Sequence, residues 1–498
     1  MAEAKKSTAG APQAVEQVLE KGLLEQIVEE GRMGKDDAAK ERGKDLVKEF
    51  VSQVLEGSMT ITRDAETMIN QRIAQIDHLL SIQVNEILHH ELFQKLEASW
   101  RGLKYMLDQS ETNDKLKIKV LNVSKRELLK DLQRAPEFDQ SALFKKVYEE
   151  EFGVFGGAPF AALIGDYQFG KHPEDVELLE RISQTAAGAH APFLSAASPD
   201  FFNLESYANL DAPRDLSKVF DNTEYAKWKS FRQSEDSRYV GLTAPRMLLR
   251  LPYGKNTKTI EAFQYEEDVD GTEHNKYLWG NAAYALGSRL TNAFAMYGWC
   301  AAIRGVEGGG LVEGLPVHNF YTDEGDLAMK CPCEVQITDR REKEMADQGF
   351  IPLVHSKNND FAAFFSVQSC QKAKMYDKDA ANANARLSTQ LPYIFAVSRF
   401  AHYLKAMMRD KLGSFMSRTD CERFLNQWIQ HYVTPDDTAS QTVKASHPLR
   451  EARIDVAEVP GKPGVYRATA FLRPHFQLDE LSVGLRLVAD LPAPAQKK

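Results

Sequence analysis

Few residues of this sequence have types and spacings suited to chemistry, and two closely spaced cysteines come first. Cys331 and Cys333 are separated by a single proline in a bare CxC pattern. Two thiolates at this spacing bind zinc when a second Cys pair or a His cluster supplies the remaining ligands. Neither lies near them in the sequence, so the pattern favours two buried free thiols, with no metal bound.

Two other patterns are incomplete versions of known binding motifs. The triplet His89-His90-Glu91 would begin a zinc-binding HExxH motif only if a histidine replaced Gln94. The glycine-rich segment 305–314 lacks the Gly-Lys-Ser/Thr ending of a phosphate-binding loop, and its two glutamates would repel phosphate. We therefore expect no cofactor and interpret these glycines as a tight turn or a close approach to another chain.

A carboxylate with catalytic potential is Asp166, at the end of the apolar run 160–165. Enzymes of the α/β class often keep a catalytic acid at the C-terminal end of a strand. Because Asp166 has no obvious partner, we favour the alternative that it caps the segment after it. An α/β enzyme with Asp166, His355 or the CxC pair in a cleft stays open as the rival hypothesis. No nucleophile, base and orienting group occur at a recognisable spacing, so we expect no enzymatic activity.

The elements that would position these residues follow an α/β pattern. A helical pattern covers 63–107, and an alternating run over 115–123 predicts a strand that ends at a helix N-cap, Ser124. Runs typical of buried strands over 160–166 and 192–197 then flank a helix over 174–187. Strand, helix and strand in this order indicate a largely parallel sheet with helices on its faces.

The start of the chain is predicted to be a flexible, helical arm over residues 1–60. Its apolar positions recur at helical spacing, and Leu23, Ile27, Phe50 and Val54 are its candidate docking residues. Two short amphipathic helices on a polar tether bury little apolar surface against each other. Docking on a partner and packing on the chain's own core are equally open.

The end of the chain is predicted to be a β-strand over 481–489. Leu481, Val483, Leu485 and Leu487 alternate with small or polar residues, so that one face of the strand is apolar; Val488 follows them. A last strand exposes an unpaired edge unless something covers it. That edge is a structural liability or a docking device.

The length of 498 residues fits two to four domains. We predict a helical arm (1–60), an α/β core domain (61–372), a C-terminal domain of helices and terminal strands (373–490) and a polar tail (491–498).

The net charge of −9 gives no global attraction to nucleic acid or anionic lipid. Five cysteines are too few for a disulfide framework and suggest a reducing compartment. No signal peptide or membrane span is visible.

Together these segments resemble the large subunit of the type VI secretion contractile sheath, the TssC/VipB family. The resemblance covers about residues 60–490, and many modest matches in one order make it specific. Its segments are ALIGDYQF (162–169), DSRYVGLTAPRMLLRLPYG (236–254), WGN (279–281), YGWCAAIRG (297–305), GGGLVEGLPVH (308–318), GFIPLVH (349–355) and SRFAHYLK (398–405).

The resemblance implies a structural subunit with a tail-sheath-like core, not a catalyst. Members pair with a small sheath subunit (TssB/VipA-like) and with copies of themselves, in a helical tube around rings of an Hcp-like inner-tube protein. The tube stands on a baseplate in the bacterial cytoplasm, and a recycling AAA+ ATPase acts chiefly through the small subunit. Neither nucleic-acid binding nor membrane insertion is expected. Strands at chain ends link neighbouring subunits, which assigns that role to Leu481, Val483, Leu485, Leu487 and Val488.

Overall fold

The computed structural model describes residues 37–55, 65–322, 324–414, 416–460 and 465–477. The chain divides into two units. The smaller unit comprises Met1–Gln83 and Glu261–Tyr265, and the larger comprises Val84–Ile260 and Glu266–Lys498.

The described part of the smaller unit is helical. Helix α1 spans Asp37–Leu55, and helix α2 spans Ala65–Leu88, of which the part up to Gln83 belongs to this unit. The Asp77 carboxylate accepts a hydrogen bond from the backbone N–H of Gln264 at 3.4 Å, which ties the segment 261–265 to α2. Helix α1 confirms the helix that the sequence predicts for the second half of the arm.

A four-stranded parallel sheet forms the centre of the larger unit. It contains β1 (Leu163–Phe169), β2 (Phe193–Ala197), β3 (Val240–Ala244) and β9 (Phe350–Pro352), in the order β1-β2-β3-β9. Helix α6 (Pro173–Ala189) connects β1 to β2. The predicted strand–helix–strand unit and its parallel sheet are confirmed.

Local sequence explains why α6 begins and ends where it does. Pro173 occupies the first turn, where its missing N–H costs nothing, and Glu174 and Asp175 complement the positive end of the helix dipole. The helix ends at His190, which has a left-handed φ of 52°. Its apolar face packs into the core beside the sheet, together with residues such as Phe201.

The larger unit contains further helices and short strands. The helices are α3 (Glu91–Asp108), α4 (Lys125–Arg134), α5 (Ala142–Phe144), a π-helix (Lys145–Phe152), α7 (Ala226–Gln233), α8 (Ala283–Tyr297), α9 (Asp339–Asp347), α10 (Asp379–Leu387), α11 (Leu391–Asp410), α12 (Arg418–Gln430) and α13 (Gln441–Ser446). The short strands are β4 (Met247–Leu248), β5 (Trp279–Gly280), β6 (Leu311–Val312), β7 (His318–Tyr321), β8 (Leu327–Lys330), β10 (Val354–His355) and β11 (Ala362–Ala363).

A separate two-stranded antiparallel sheet follows these elements. It consists of β12 (Leu449–Glu458) and β13 (Tyr466–Pro474), and helix α12 packs against β12. The start of α12 is fixed by a capping box in which Ser417 and Asp420 satisfy each other's backbone N–H groups. The rings of Trp299 and Phe400 stack at 4.2 Å within the core beneath β12.

Two predicted elements differ from the structure. The run 115–123 forms no strand in the described residues; it is irregular, and Val120 is 71% exposed. The alternating pattern is present, but no neighbouring strand pairs with it there. The helical pattern over 63–107 is interrupted at His89 and His90, because His90 acts as the N-cap of α3 and accepts a hydrogen bond from the backbone N–H of Leu92 at 3.3 Å.

Candidate functional site

The outer edge of β12 is already occupied by groups of its own chain. The Asn426 side chain donates to the backbone oxygen of Ile454 at 2.7 Å and accepts from the N–H of Ile454 at 3.0 Å. The Gln430 side chain donates to the backbone oxygen of Ala452 at 3.1 Å. At the start of β12, the N–H of Thr434 donates to the oxygen of Leu449 at 2.9 Å. A further strand cannot pair along this edge without displacing these groups.

The outer edge of β13 differs. Ile454 lies opposite Ala470 in the antiparallel pair, and its N–H and C=O bind Asn426 on the side away from β13. Two residues that face each other in such a pair either both bond across it or both point outward. The N–H and C=O of Ala470 therefore point away from β12. The same holds for Ala468 and Leu472, two residues to either side. Within the described residues, none of these outward-pointing groups has a partner. Most side chains of β13 are exposed, and Phe471 is 53% exposed. This strand is the open edge of the sheet.

The chain that leaves β13 is held against other elements of the larger unit. The N–H of Gln477 donates to the Tyr393 hydroxyl at 3.0 Å, and its side chain donates to the backbone oxygen of Ala301 at 2.9 Å. The N–H of His475 donates to the oxygen of Pro448 at 3.2 Å. These contacts fix the point from which the segment after Gln477 departs.

Each unit also presents an exposed apolar helix face. In the smaller unit, Ile69, Ile73 and Ile76 of α2 recur at helical spacing and are 49%, 50% and 44% exposed. In the larger unit, Leu92 and Trp100 of α3 lie eight residues apart and are 70% and 67% exposed. Contiguous exposed apolar residues are typical of protein interaction surfaces.

The CxC pair directly follows strand β8, and His355 contributes to its electrostatics. Cys331 follows β8 and is half-buried, and Cys333 is fully buried where its backbone pairs with Met247 of β4. Hydrogen bonding from Cys333 lowers the pKa of Cys331, burial opposes that shift, and His355 adds to it. Neither cysteine forms a disulfide; Cys333 is buried, as the sequence predicted, whereas Cys331 is only half-buried. In the described residues, no group of three or more His, Cys, Asp or Glu side chains could hold a metal ion.

Asp166 lies elsewhere, and its predicted position was wrong. Strand β1 continues to Phe169, so Asp166 is in mid-strand and exposed rather than at a strand end. Its carboxylate faces the Asn281 amide at 3.5 Å, next to an irregularity in the β1–β2 register. The Ser195 hydroxyl lies 2.8 Å from the backbone oxygens of both Gly165 and Tyr167 at this irregularity. Because β1 continues beyond it, Asp166 does not cap the segment after it.

The histidines of the failed HExxH pattern have structural roles. His89 pairs with the buried carboxylate of Glu267 at 3.2 Å, and that carboxylate also binds Arg250 at 2.6 Å. Arg250 reaches Glu97 of α3 at 2.9 Å. Burial by itself raises the pKa of Glu267, but His89 and Arg250 outweigh it and lower that pKa. The network holds α3 on the loop after β4.

The glycine-rich segment is a tight turn against its own chain. The N–H of Gly305 donates to the Phe364 oxygen at 2.7 Å, and the N–H of Gly310 donates to the Gly305 oxygen at 2.8 Å. A Cβ atom on Gly310 would lie 2.7 Å from both the Arg304 Cα and the Phe364 oxygen, so only glycine fits. Close approach to another chain, the other predicted role, stays a prediction.

Several predicted docking residues lie outside the described part of the chain. These are Leu23 and Ile27 of the arm and Leu481, Val483, Leu485, Leu487 and Val488 of the closing segment. Phe50 and Val54 lie in helix α1, but their side chains are not described. Among the described helices, none is long and apolar enough to cross a membrane.

Comparison with known proteins identifies the class. Residues 70–371 match the family model described as EvpB/VC_A0108, tail sheath N-terminal domain, and residues 380–491 match its tail sheath gpW/gp25-like domain. The type VI secretion system sheath protein TssC1 of Pseudomonas aeruginosa is 51% identical over 462 residues, which cover 92% of this chain and 93% of that protein. The class is that of contractile tail-sheath proteins. The chain belongs to the VipB family, the large sheath subunits of type VI secretion systems.

Two solved structures of contractile sheaths are more distant. The anti-feeding prophage helical sheath in the contracted state is 10% identical, with a TM-score of 0.32 over 62% of this chain and 66% of that one. The sheath complex of an extracellular contractile injection system, also contracted, is 8% identical, with a TM-score of 0.32 over 61% and 68%.

Family membership decides between the two functional hypotheses. The matched family consists of structural sheath proteins, so the α/β-enzyme alternative is not supported. The sequence interpretation missed Asn426 and Gln430, which close one edge of the terminal sheet. Their spacing of four residues, beside the apolar Leu425 and Ile429 of the same helix, was the available signal.

Proposed function

We propose that this chain is a structural subunit of a type VI secretion contractile sheath. The observation that carries this proposal is its 51% identity, over 92% of its length, to a sheath protein of that system. Repeated heterologous contacts that do not close into a ring generate a helical tube. The tube is assembled in an extended, metastable state, and its contraction drives the delivery of effectors.

The assembly has several partners. The chain pairs with a small sheath subunit of the TssB/VipA type, and the heterodimers stack with further copies around an Hcp-like inner tube. The sheath lies in the bacterial cytoplasm, attached to a membrane-anchored baseplate, and a recycling AAA+ ATPase acts through the small subunit. The charge of −9 supports the expectation that nucleic acid is not among the partners. The exposed apolar face of α2, which includes Ile69, Ile73 and Ile76, is surface that such an assembly would bury.

Neighbouring copies are linked by strand addition. In our proposal the closing segment, with Leu481, Val483, Leu485, Leu487 and Val488, joins the terminal sheet of a neighbour. The occupied outer edge of β12 and the open edge of β13 favour β13 as the acceptor. Backbone hydrogen bonds would supply affinity, and the alternating leucine and valine face would supply specificity.

The arm supplies a second link. Its residues Leu23, Ile27, Phe50 and Val54 would dock on a partner subunit. The helical state of 37–55 supports this role, because an amphipathic helix binds by laying its apolar face on a partner surface.

Electron microscopy tests the proposed function. The full chain is co-expressed with the candidate small subunit encoded beside it, purified and viewed in negative stain. Hollow, regularly ridged tubes are the expected result. Discrete small particles at several salt concentrations, with the partner present, would contradict a sheath role.

A further inference from the structure

The segment 117–123 has the sequence pattern of a strand but no strand partner. None of its backbone N–H groups donates a hydrogen bond within the part of the chain that the structure describes. Val120 and Leu121, in the middle of the segment, are 71% and 52% exposed. Unpaired peptide groups beside exposed apolar side chains are typical of a strand that lacks its neighbour.

The segment runs beside β1, the edge strand of the central sheet, and in the same direction. The ammonium group of Lys119 lies 5.4 Å from the centre of the Phe160 ring. Further along both chains, the Tyr167 hydroxyl donates to the backbone oxygen of Val123 at 2.8 Å. Parallel neighbours need a connection of at least about a dozen residues. The connection 124–162, which contains α4, is long enough.

The side chains of the segment already follow the two faces of the sheet. Ile118 packs against the same core cluster as Ile164 of β1. Val123 packs against a different cluster, together with Leu163 and Tyr167 of β1. In a strand, residues an odd number of positions apart point to opposite faces. Positions 118 and 123 are five apart, so their packing has the alternation that a strand next to β1 requires.

Alternate peptide groups of β1 face β2. The N–H of Leu163 donates to the oxygen of Pro192, the residue before β2, at 2.9 Å. The Ser195 hydroxyl of β2 lies 2.8 Å from the backbone oxygens of Gly165 and Tyr167. The odd-numbered residues of β1 therefore turn their peptide groups toward β2, and the even-numbered residues turn theirs away from it.

The peptide groups that turn away from β2 face the segment 117–123. The backbone oxygen of Gln168 accepts a hydrogen bond from the Lys125 ammonium group at 2.8 Å, just beyond the end of the segment. Within the described chain, the peptide groups of Ile164 and Asp166 bind nothing outside the sheet. Two parallel rows of peptide groups without partners thus lie along the same edge.

We propose that the segment 117–123 is a strap that closes onto β1 as a fifth, parallel strand of the central sheet. Closure pairs the strap with the peptide groups of Ile164 and Asp166. It also places Val120, two residues from Ile118, on the same face as Ile164. The sheet edge then has two states: an open one that is available to another chain, and a closed one that excludes such pairing. This inference does not rest on the proposed function.

Hydrogen exchange of the full-length chain, followed by mass spectrometry, measures closure of the strap. Amides that bond to β1 in the closed state exchange slowly, whereas an open strap exchanges like an unstructured peptide. A synthetic peptide of residues 115–125 supplies that reference rate. We expect about half of the amides of 117–123 to exchange at least about tenfold more slowly than in the peptide. Exchange of all of them at the rate of the peptide would overturn the proposal.

Two variants of β1 test whether its edge protects the strap. Asp166→Pro removes a donor that faces away from β2, so it leaves the β1–β2 pair intact. Asp166→Asn keeps that donor and is the matched control. Slow exchange in 117–123 should be largely lost in the proline variant and kept in the asparagine variant. Slow exchange that persists in a folded proline variant would show that β1 is not the partner.

A disulfide trap keeps the proposal testable if Asp166→Pro does not fold. Since Val123 lies beside Tyr167, the same offset places Val120 beside Ile164. The double variant Val120→Cys, Ile164→Cys should therefore form a disulfide on mild oxidation, because neighbours across a strand pair lie within disulfide reach. In Val120→Cys, Gln168→Cys, the second cysteine is about 13 Å further along β1, and no disulfide should form. Equal yields from the two pairs, or none from either, would contradict closure.

Discussion

The side-chain amide of Asn426 pairs with both backbone groups of Ile454, donating to its oxygen at 2.7 Å and accepting from its N–H at 3.0 Å. A helix side chain thus takes the place that a neighbouring strand would occupy. Edge strands are commonly protected from unwanted pairing. Here one edge is closed, while the other, β13, has no partner among the described residues. The terminal sheet can therefore grow in one direction only.

Replacing Asn426 by alanine should destabilise the C-terminal core. The change removes the two hydrogen bonds to Ile454 and a third to the backbone oxygen of Glu422, and it leaves the Ile454 peptide groups without their partner. We therefore expect a loss of about 1–3 kcal/mol in the free energy of unfolding. Gln430→Ala, which removes one bond from an exposed side chain, is the control and should cost less. Chemical denaturation of the purified chain measures both. Equal stability of Asn426→Ala and wild type would show that the amide pairing contributes nothing.

Proline at position 470 should block strand addition without breaking the β12–β13 pair. The Ala470 N–H points away from β12, so Ala470→Pro removes a donor only from the open edge. Ala470→Val keeps that donor and is the matched control. We expect ridged tubes from the valine variant and few or none from the proline variant in electron micrographs of the co-expressed subunits. Normal tubes from a folded proline variant would exclude this edge as the acceptor.

Much of the central fold was predictable because its signals are local. Proline and two acids at the start of α6 and a buried apolar run on either side of it are enough to indicate the strand–helix–strand unit. The addition of β9 to the same sheet was not predicted, since it pairs with β3 from more than a hundred residues away. Asp166 was misplaced for a related reason: only tertiary pairing shows that β1 extends to Phe169.

The CxC pair shows the same limit. The residue types were visible in the sequence, but only the fold pairs the backbone of Cys333 with Met247 of β4. A spacing rule finds ligands within one helix or loop and misses pairs that tertiary structure assembles.

Stability should fall in mild acid because of His402. Burial lowers its pKa to about 4; a bond from Nε2 to the Ala189 oxygen at 2.9 Å opposes this, and nearby Arg399, His190 and Lys405 add to the lowering. The unfolded chain binds the proton near pH 6.5 and the folded chain only near 4. The stabilisation by neutral His402 is therefore complete above pH 6.5 and is lost as the pH falls toward 4. The free energy of unfolding falls by at most about 1.4 kcal/mol per pH unit over this range.

Denaturation curves between pH 7.5 and 5 of the wild type and His402→Gln test this expectation. The variant should show a shallower loss of stability in acid. His78→Gln, at an exposed histidine, is the control and should follow the wild type. Parallel curves for the wild type and His402→Gln would contradict the assignment.

Sheath assembly should not require the CxC pair. Cys331→Ser and Cys333→Ser together remove both thiols but keep side chains of similar size, and no metal-ligand group is present in the described residues. We expect tubes of normal appearance and yield by electron microscopy. A loss of tubes that depends on added metal would show that the cysteines have a structural role.

Deleting residues 481–498 should separate folding from assembly. The described sheet ends at Pro474, and bonds to Tyr393 and Ala301 anchor the chain as far as Gln477. We therefore expect the larger unit to fold without the deleted segment. The truncated chain should remain soluble and retain the wild-type melting temperature. It should bind the small subunit poorly or fail to polymerise, because the strand that joins a neighbour is missing.

Size-exclusion chromatography of the co-expressed pair distinguishes the outcomes, since tubes elute in the void volume. Full-length sheaths from the truncated chain would refute linkage by the closing strand while leaving family membership intact, because that rests on 51% identity over 92% of the chain.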